Sequence, residues 1–386
     1  MRSFEDVHAA AQAGDAGSQD LLAQAMEQSG RYQDALGWWM AAAKSGFPAA
    51  HAKLGLWQLV GFNLPQNTKE GATRIFAAAK AGDPLGLSLA SVLDAGGIGQ
   101  PQDITRAIGW LTTAAKAGDA HAACQLGLMA AEGELRTAAL AASAALQFDA
   151  ASKVLGTSTP QTQAVDWSAM AAEIDLSPFR CPMTAQNQLE TPAISIVPDV
   201  LSDAVCDYVM AMAEPALRRG MIVNERGSES VEDVRSNRVM NFGLADSDVV
   251  LELINHRLAE AAGMPVENAE GLGVLHYVPG ERYAPHVDYI AETPQNAEHL
   301  AARGQRVRTV LVYLNDDFEG GSTDFPRLNL SFKPSRGSAL IFDSVGPSGQ
   351  VEPLSLHSGT PTTRGEKWVI SKWFRTKALR PGPGDA

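Results

Sequence analysis

The chain has 386 residues, more than a single hydrophobic core usually organises, so we expect two domains. Its hydrophobic content of 45% and charged content of 19% exclude a largely disordered chain. No apolar stretch reaches the roughly 20 residues that a membrane-spanning helix needs. The net charge of −13 argues against general binding to nucleic acid or to an anionic membrane surface.

The cysteines and the N-terminal sequence indicate the cellular compartment of the protein. Cys124, Cys181 and Cys206 are odd in number and far apart in sequence, so a disulfide framework is not expected. The first fifteen residues lack the basic segment and apolar core of a signal peptide. Both features favour a reducing, cytoplasmic location.

The N-terminal part of the chain repeats a short motif. The hexamers AAAKSG (residues 41–46), AAAKAG (77–82) and TAAKAG (113–118) are spaced 36 residues apart, and a related AAAQAG occupies residues 9–14. Each unit has room for two helices, with the motif glycine suited to a helix C-terminus. Asn67 and Asp103 are suited to capping the next helix. A period of this size predicts an α-solenoid of stacked helix pairs over residues 1–155.

These repeats resemble Sel1-like repeats, which are relatives of tetratricopeptide repeats. The resemblance rests on the AHAKLG element at residues 50–55, on the loop that follows it and on the WWMAAAKSG element at residues 38–46, and it covers about residues 5–135. It implies an extended concave surface that docks a partner or a substrate protein. The alternative is a purely structural stack of Ala and Leu side chains.

The composition changes along the second half of the chain. Residues 156–189, which begin with GTSTPQTQ, are predicted as a linker. From residue 190 to 386 short runs such as TVLVYL and KWVISKWF alternate with turn residues, which predicts a β-sandwich or barrel. Helices are expected before it, at about residues 203–217 and 247–262. The complete chain is therefore predicted as a multidomain α+β protein.

Three residues of the second domain suit a metal centre. His286 and Asp288 are two apart, so on a strand both side chains point to the same face. His357, which follows much later next to another strand, supplies a third ligand. Two imidazoles and a carboxylate form the facial triad that holds iron(II) and leaves positions open for an oxo-acid and O2.

Other side chains are placed to bind an oxo-acid with a second carboxylate. Lys367 comes ten residues after His357 and offers a compact cation on a long stem. Trp373 lies on the same face of the same predicted strand. Tyr277 has a phenol that can donate to the carboxylate, and Thr309 lies on a strand face that could line the pocket.

The motifs of this domain occur together in a fixed order. GVLHYVPGERYAPHVDY, RTVLVYLNDDFEGGSTDFP, KPSRGSALIF and SLHSGTPTTRGEKWVISKWF resemble the catalytic domain of prolyl 4-hydroxylases, over about residues 190–376. The resemblance implies a double-stranded β-helix, or jelly roll, that uses Fe(II), 2-oxoglutarate and O2, with ascorbate as reductant. It implies iron ligation by His286, Asp288 and His357. Lys367 would bind the 2-oxoglutarate C5 carboxylate, supported by Tyr277 and Thr309, with Trp373 lining the pocket.

The function that follows is hydroxylation of a prolyl or another residue in a protein or peptide substrate, with the repeats as the docking module. Two alternatives stay open. One is a hydroxylase of free amino acids or other small molecules whose repeats mediate assembly. The other is a non-catalytic scaffold, which the complete set of His286, Asp288, His357 and Lys367 disfavours.

Overall fold

A computed structural model of the chain describes residues 3–156, 164–220, 222–223, 229–230 and 235–381. Most of the predicted linker's first segment, residues 157–163, lies outside the described residues. So do residues 382–386 at the end of the predicted second domain.

Over residues 3–156, the described first part of the chain consists of ten helices in antiparallel pairs, each packed on its sequence neighbours. They are α1 (Phe4–Gln12), α2 (Ala16–Gln28), α3 (Tyr32–Lys44), α4 (Pro48–Val60), α5 (Thr68–Lys80), α6 (Pro84–Gly96), α7 (Ile104–Lys116), α8 (Ala120–Met129), α9 (Glu134–Ala145) and α10 (Asp149–Leu155). The predicted α-solenoid of helix pairs is confirmed.

Local sequence explains where these helices begin, end and touch. The side chains of Asn67 and Asp103 accept backbone hydrogen bonds from the first turns of α5 and α7, as N-caps do. Gly82, which follows α5, has a φ of +79°, a conformation that favours glycine. A Cβ atom on Gly55 would lie 2.7 Å from the carbonyl oxygen of Gly71, so the LG element allows close packing of α4 on α5.

The segment after the solenoid is folded rather than extended. It contains the short helices α11 (Trp167–Ala172) and α12 (Ser177–Arg180). The backbone N–H of Ala131 donates to the carbonyl of Glu173 at 3.0 Å, and that of Asp175 donates to Met129 at 2.9 Å. The described part of the predicted linker therefore packs against the last repeats.

The second part of the chain is mainly β-structure. Its strands are β1 (Gln186–Glu190), β2 (Ala193–Val197), β3 (Arg218–Arg219), β4 (Ile222–Val223), β5 (Glu229–Ser230), β6 (Arg238–Phe242), β7 (Leu272–Tyr277), β8 (Tyr283–His286), β9 (Arg306–Tyr313), β10 (Glu319–Gly320), β11 (Thr323–Phe325), β12 (Leu330–Phe332), β13 (Ala339–Asp343), β14 (His357–Gly359), β15 (Thr362–Arg364) and β16 (Lys367–Arg375). Its helices are α13 (Asp203–Ala213), α14 (Val249–Ala262) and α15 (Ala297–Arg303).

Two sheets form the predicted jelly roll. The major sheet has the strand order β1-β2-β13-β9-β16-β7-β6-β3, and the minor sheet has the order β12-β11-β14-β8. Pairing along both sheets is antiparallel. A compact apolar cluster with Leu311, Phe325, Tyr313 and Phe342 joins the facing surfaces of the two sheets. The predicted fold class is confirmed.

The opposite face of the major sheet belongs to the largest core of the molecule. This core runs without interruption from the later repeats, through α13 and α14, to the sheet. Helix α14 has buried residues around its circumference because it packs on α6 of the solenoid and on β9 of the sheet. Among the described residues, none of the helices has the length and apolar character needed to cross a bilayer.

Candidate active site

Three potential metal ligands converge between the two sheets. One ligand atom each from His286, Asp288 and His357 lies within 4.8 Å of the other two. The imidazole Nε2 atoms of His286 and His357 are 3.8 and 3.6 Å from oxygens of the Asp288 carboxylate. Two neutral nitrogens and one carboxylate on one side of an ion fit the facial donor set of non-haem iron(II).

Strand pairing brings these residues together. His357, at the start of β14, lies directly opposite His286, at the end of β8. The Nδ1 atom of His286 is 2.9 Å from the Ala284 carbonyl, and that of His357 is 3.0 Å from the Ser355 carbonyl. Because an Nδ1–H group donates each bond, both Nε2 lone pairs are left for a metal.

Burial and charge keep His286 and Asp288 in the forms that bind metals. Burial, with the neighbouring His357, lowers the pKa of His286 to about 3, so this imidazole is neutral at physiological pH. Burial opposes ionisation of Asp288. The two imidazoles, Arg306 and the Thr309 hydroxyl together outweigh that effect and hold its pKa below its ordinary value. The site therefore offers deprotonated ligands at neutral pH.

Lys367 supplies a buried cation in the same cavity. Its side chain is 3% exposed, its Nζ donates to the Gly321 carbonyl at 2.6 Å, and it lies 4.8 Å from the ring centre of Tyr313. Among the described residues, no carboxylate lies within ion-pair distance of this Nζ. Burial lowers the pKa of Lys367 to about 7, with a smaller contribution from Lys333. A carboxylate ligand would compensate the burial of this ammonium, so the site fits a dicarboxylate such as 2-oxoglutarate.

Tyr277 and Trp373 also line the cavity, as their positions in sequence predict. Tyr277 lies opposite Lys367 in the pairing of β7 with β16. Burial raises the pKa of Tyr277 further above its ordinary value, so its phenol stays protonated and can donate. The indole Nε1 of Trp373 is buried and has no hydrogen-bond partner among the described residues. The Arg306 guanidinium lies 3.9 Å from the Trp373 ring centre and holds the ring in place.

Thr309 lies beside Asp288, in the cluster of potential metal ligands. Its hydroxyl donates to Oδ2 of Asp288 at 2.6 Å, and its side chain is not part of the cavity lining. The contact between Thr309 and 2-oxoglutarate expected from the sequence stays a prediction. Thr309 orients the carboxylate ligand.

Replacement of Thr309 with valine is expected to weaken metal binding by about 10- to 100-fold, the usual effect of losing such a supporting hydrogen bond. Valine keeps the shape of the side chain but removes the donor to Asp288. The dissociation constant of Mn(II), measured by electron paramagnetic resonance, checks this expectation. Thr309→Ser retains a hydroxyl and should bind Mn(II) nearly as the wild type does; equal affinity in the valine variant would contradict this role.

The sequence alone assigns no role to Tyr283, which also lines the cavity. The Tyr283 ring stacks on His286 with 3.5 Å between ring centres, and Arg235 lies 4.8 Å above the Tyr283 ring. Tyr283 and His286 are three residues apart, which on a regular strand places them on opposite faces. An irregularity in the pairing of β8 with β14 brings the rings together, and the sequence alone does not indicate it.

Comparison with known proteins agrees with this site. The family model for the 2OG-Fe(II) oxygenase superfamily matches residues 272–375. Prolyl 4-hydroxylase 1 of Arabidopsis thaliana is 37% identical over 203 residues, which cover 49% of this chain and 70% of that protein.

Solved structures resemble each half of the chain. A viral collagen prolyl hydroxylase from Paramecium bursaria Chlorella virus-1 is 25% identical, with 48% of this chain and 96% of that one covered and a TM-score of 0.38. A Sel1 repeat protein from Oxalobacter formigenes is 22% identical, with 44% of this chain and 75% of that one covered and a TM-score of 0.36.

The facial set of ligands beside a buried lysine, within a jelly roll that matches the superfamily model, defines a 2-oxoglutarate-dependent dioxygenase. The chain belongs to the prolyl 4-hydroxylase family. Both the predicted enzyme class and the predicted family are confirmed.

Proposed function

We propose that this enzyme hydroxylates a prolyl residue of a protein or peptide substrate. The observation that carries the proposal is the convergence of His286, Asp288 and His357 in one cavity with the buried Lys367. Several relatives are prolyl 4-hydroxylases, which supports proline as the target residue. In this proposal residues 190–386 are the catalytic unit and residues 1–155 are the docking unit.

Each site residue has a separate task. His286, Asp288 and His357 would hold Fe(II), and Thr309 keeps the Asp288 carboxylate in position. Lys367 would bind the distal carboxylate of 2-oxoglutarate. When bound, iron and 2-oxoglutarate supply the oxidation of a substrate C–H bond by O2, with release of succinate and CO2.

The other cavity residues orient these groups and exclude water. Tyr277 would donate its phenol hydrogen to the same distal carboxylate, and the Trp373 indole offers a further donor facing the cavity. The side chains of Leu275, Leu311 and Val369 make this part of the lining apolar. Apolar walls keep bulk water from the reacting groups.

The cell compartment and the reductant are also part of the proposal. All three cysteines are free thiols in the structure, which supports a reducing, cytoplasmic setting. We propose ascorbate as the reductant that maintains iron in the ferrous state.

Turnover assays test the proposed reaction. The protein is purified without oxygen, supplied with Fe(II), 2-oxoglutarate and ascorbate, and exposed to air while succinate is measured. Proline-containing peptides should stimulate succinate formation and gain the mass of one oxygen atom. Stimulation by free proline but by none of the peptides would favour the small-molecule alternative and contradict the proposal.

Affinity for 2-oxoglutarate is expected to fall as the pH rises above 7. With the pKa of Lys367 lowered to about 7, the protonated fraction of this side chain decreases about tenfold per pH unit at higher pH. A carboxylate binds the ammonium and not the neutral amine, so the dissociation constant should increase by about fiftyfold between pH 7 and 9. Calorimetric titration of the Mn(II)-loaded protein measures this change.

Lys367→Arg provides the matched control for that titration. Arginine remains protonated throughout the range, so its variant should show only the pH dependence that arises at the metal. If the 2-oxoglutarate dissociation constants of the wild type and the arginine variant changed in parallel with pH, Lys367 would not bind the distal carboxylate.

We further propose that the solenoid docks the protein substrate. It carries exposed aromatic side chains at Tyr32 and Phe62, whose rings are in contact 5.0 Å apart, and Val60 is exposed nearby in sequence. Exposed apolar clusters are a usual feature of protein-binding surfaces. A Tyr32→Ser, Phe62→Ser double variant should raise KM for a protein substrate and leave kcat and the KM of a short peptide unchanged. If the wild type and the double variant had equal KM values for the protein substrate, docking at this surface would be contradicted.

A further inference from the structure

A second cavity lies where the solenoid meets the oxygenase domain. This interface cavity has a volume of about 240 Å³. The solenoid contributes Leu59, Val60 and Ile98 to its lining, and the oxygenase domain contributes Leu251 and Lys372, among others. It is separate from the active site. Residues 371 and 373 of β16 face the active-site cavity, whereas Lys372, between them, faces the opposite side of the sheet.

The two carboxylates that border the interface cavity are already neutralised. Oε2 of Glu252 accepts from the Arg380 guanidinium at 2.8 Å, and its Oε1 accepts from the Ser247 hydroxyl at 2.8 Å. Glu270 accepts from Arg306 and Arg375, each at 2.6 Å. Neither carboxylate is therefore left to balance a further cation.

Lys372 is the deeply buried cation of this lining, whereas Arg303, which also lines the cavity, is exposed to solvent. The Lys372 side chain is 2% exposed, and its Nζ donates to Oδ1 of Asn255 at 2.6 Å. Among the residues that the structure describes, no carboxylate lies within ion-pair distance of this Nζ. An ammonium has three hydrogens to donate, and the Asn255 bond uses one of them. Burial lowers the pKa of Lys372 to about 7.

The rest of the lining determines what kind of anion fits. Side chains from both domains make much of the wall apolar, including Leu59, Ile98, Leu251, Val266 and Leu379. A single buried ammonium without a carboxylate partner suits a monoanion better than a phosphate dianion, which needs several donors. The volume is that of a ligand smaller than a typical drug molecule.

We propose that the interface cavity binds a small amphipathic monocarboxylate. Its carboxylate pairs with Lys372, and its aliphatic chain lies against the apolar side chains of the solenoid and α14. The ligand would contact both domains, and it would bind on the side of the major sheet opposite to the iron site.

Calorimetry on the full-length, metal-free protein tests this site, because without iron the probe has no metal to bind in the active site. The probes are hexanoate, octanoate and decanoate, with octan-1-ol and octylamine as the neutral and cationic analogues of octanoate. At least one carboxylate should bind saturably, and octan-1-ol and octylamine should bind more weakly than octanoate. Lys372→Met should weaken carboxylate binding by about tenfold or more, the effect of losing a charged hydrogen bond.

Two further variants keep the test decisive. Val60→Glu adds a negative charge at an exposed position of the lining, so it should also weaken carboxylate binding without altering Lys372. Lys367→Met removes the cation of the active site and should leave carboxylate binding unchanged. The proposal is overturned if none of the carboxylates binds saturably, or if octan-1-ol binds as tightly as octanoate. It is also overturned if the Lys372→Met and Val60→Glu variants both bind octanoate like the wild type, or if Lys367→Met abolishes this binding.

Discussion

Replacement of Asp288 with alanine is expected to reduce 2-oxoglutarate turnover by about a hundredfold or more, since removal of a ligand should cost at least as much as removal of its hydrogen-bond partner. The carboxylate is the only anionic member of the cluster, lies within 4 Å of both imidazoles and is 5% exposed. Without it two neutral nitrogens are left to hold a divalent cation. Succinate formation and Mn(II) binding should therefore be lost together.

The control for this loss is Glu319→Ala. Glu319 is an exposed acid on β10 that pairs with Arg364 at the surface, so its removal should change neither measurement. Circular dichroism establishes that both variants are folded. If Asp288→Ala were folded and bound Mn(II) with wild-type affinity, the assignment of the three ligands would be wrong.

The sequence predicts the cavity-facing residues of β16 well, for a simple reason. Alternation along a strand has a period of two, so Lys367, Val369, Ser371 and Trp373 must share a face once the strand is recognised. The structure places all four in the active-site cavity. In the solenoid, the motif glycines and the N-caps likewise follow from local backbone preferences that single residues reveal.

The side-chain contacts of the site residues are harder to predict from the sequence. Alternation places Thr309 on the correct face of β9, but it does not indicate that the hydroxyl donates to Asp288, which follows a different strand. Tyr283 is missed because an irregular strand pairing, rather than a period of two, brings its ring onto His286. Both contacts depend on register between distant strands, which residue spacing along one strand does not determine.

The extent of the contact between the domains is the largest difference from the sequence-based picture. We predict two units joined by a linker, yet one core continues from the repeats to the major sheet. The sequence of α14 contains the relevant pattern, because a helix with apolar residues around its circumference must be covered on more than one side. The sheet covers one side of α14, and α6 covers another.

Polar contacts join the two parts as well. The side-chain oxygen of Gln125, in the solenoid, accepts from the backbone N–H of Val249 at the start of α14, at 2.9 Å. Tyr208 donates to Asp248 at 2.6 Å, and His121 of the solenoid lies 2.7 Å from the same phenol. These groups are largely buried, so separating the domains would leave them without partners.

A chain that starts at residue 164 is therefore expected to aggregate, or to unfold at a much lower temperature than the full-length protein. Removal of the solenoid would expose the apolar faces of α13 and α14 that now pack on α10 and α6. Loss of one large buried aliphatic side chain costs about 2–5 kcal/mol, and here many such contacts are lost at once. Thermal unfolding followed by circular dichroism, with size-exclusion chromatography, measures the outcome.

A chain that starts at Tyr32 is the matched control. It lacks only α1 and α2, which contribute Ala23 to a separate cluster around Trp39 and no residue to the core shared with the oxygenase domain, so that core is preserved. This shorter chain should elute without aggregation and should turn over a peptide at the wild-type rate, with a modest decrease in Tm. If residues 164–386 alone were equally stable and active, the shared core would not be needed for folding. If residues 164–386 alone are unstable or inactive, the loss of activity reflects the missing part of the catalytic domain's core. It is then no evidence that the repeats dock a substrate.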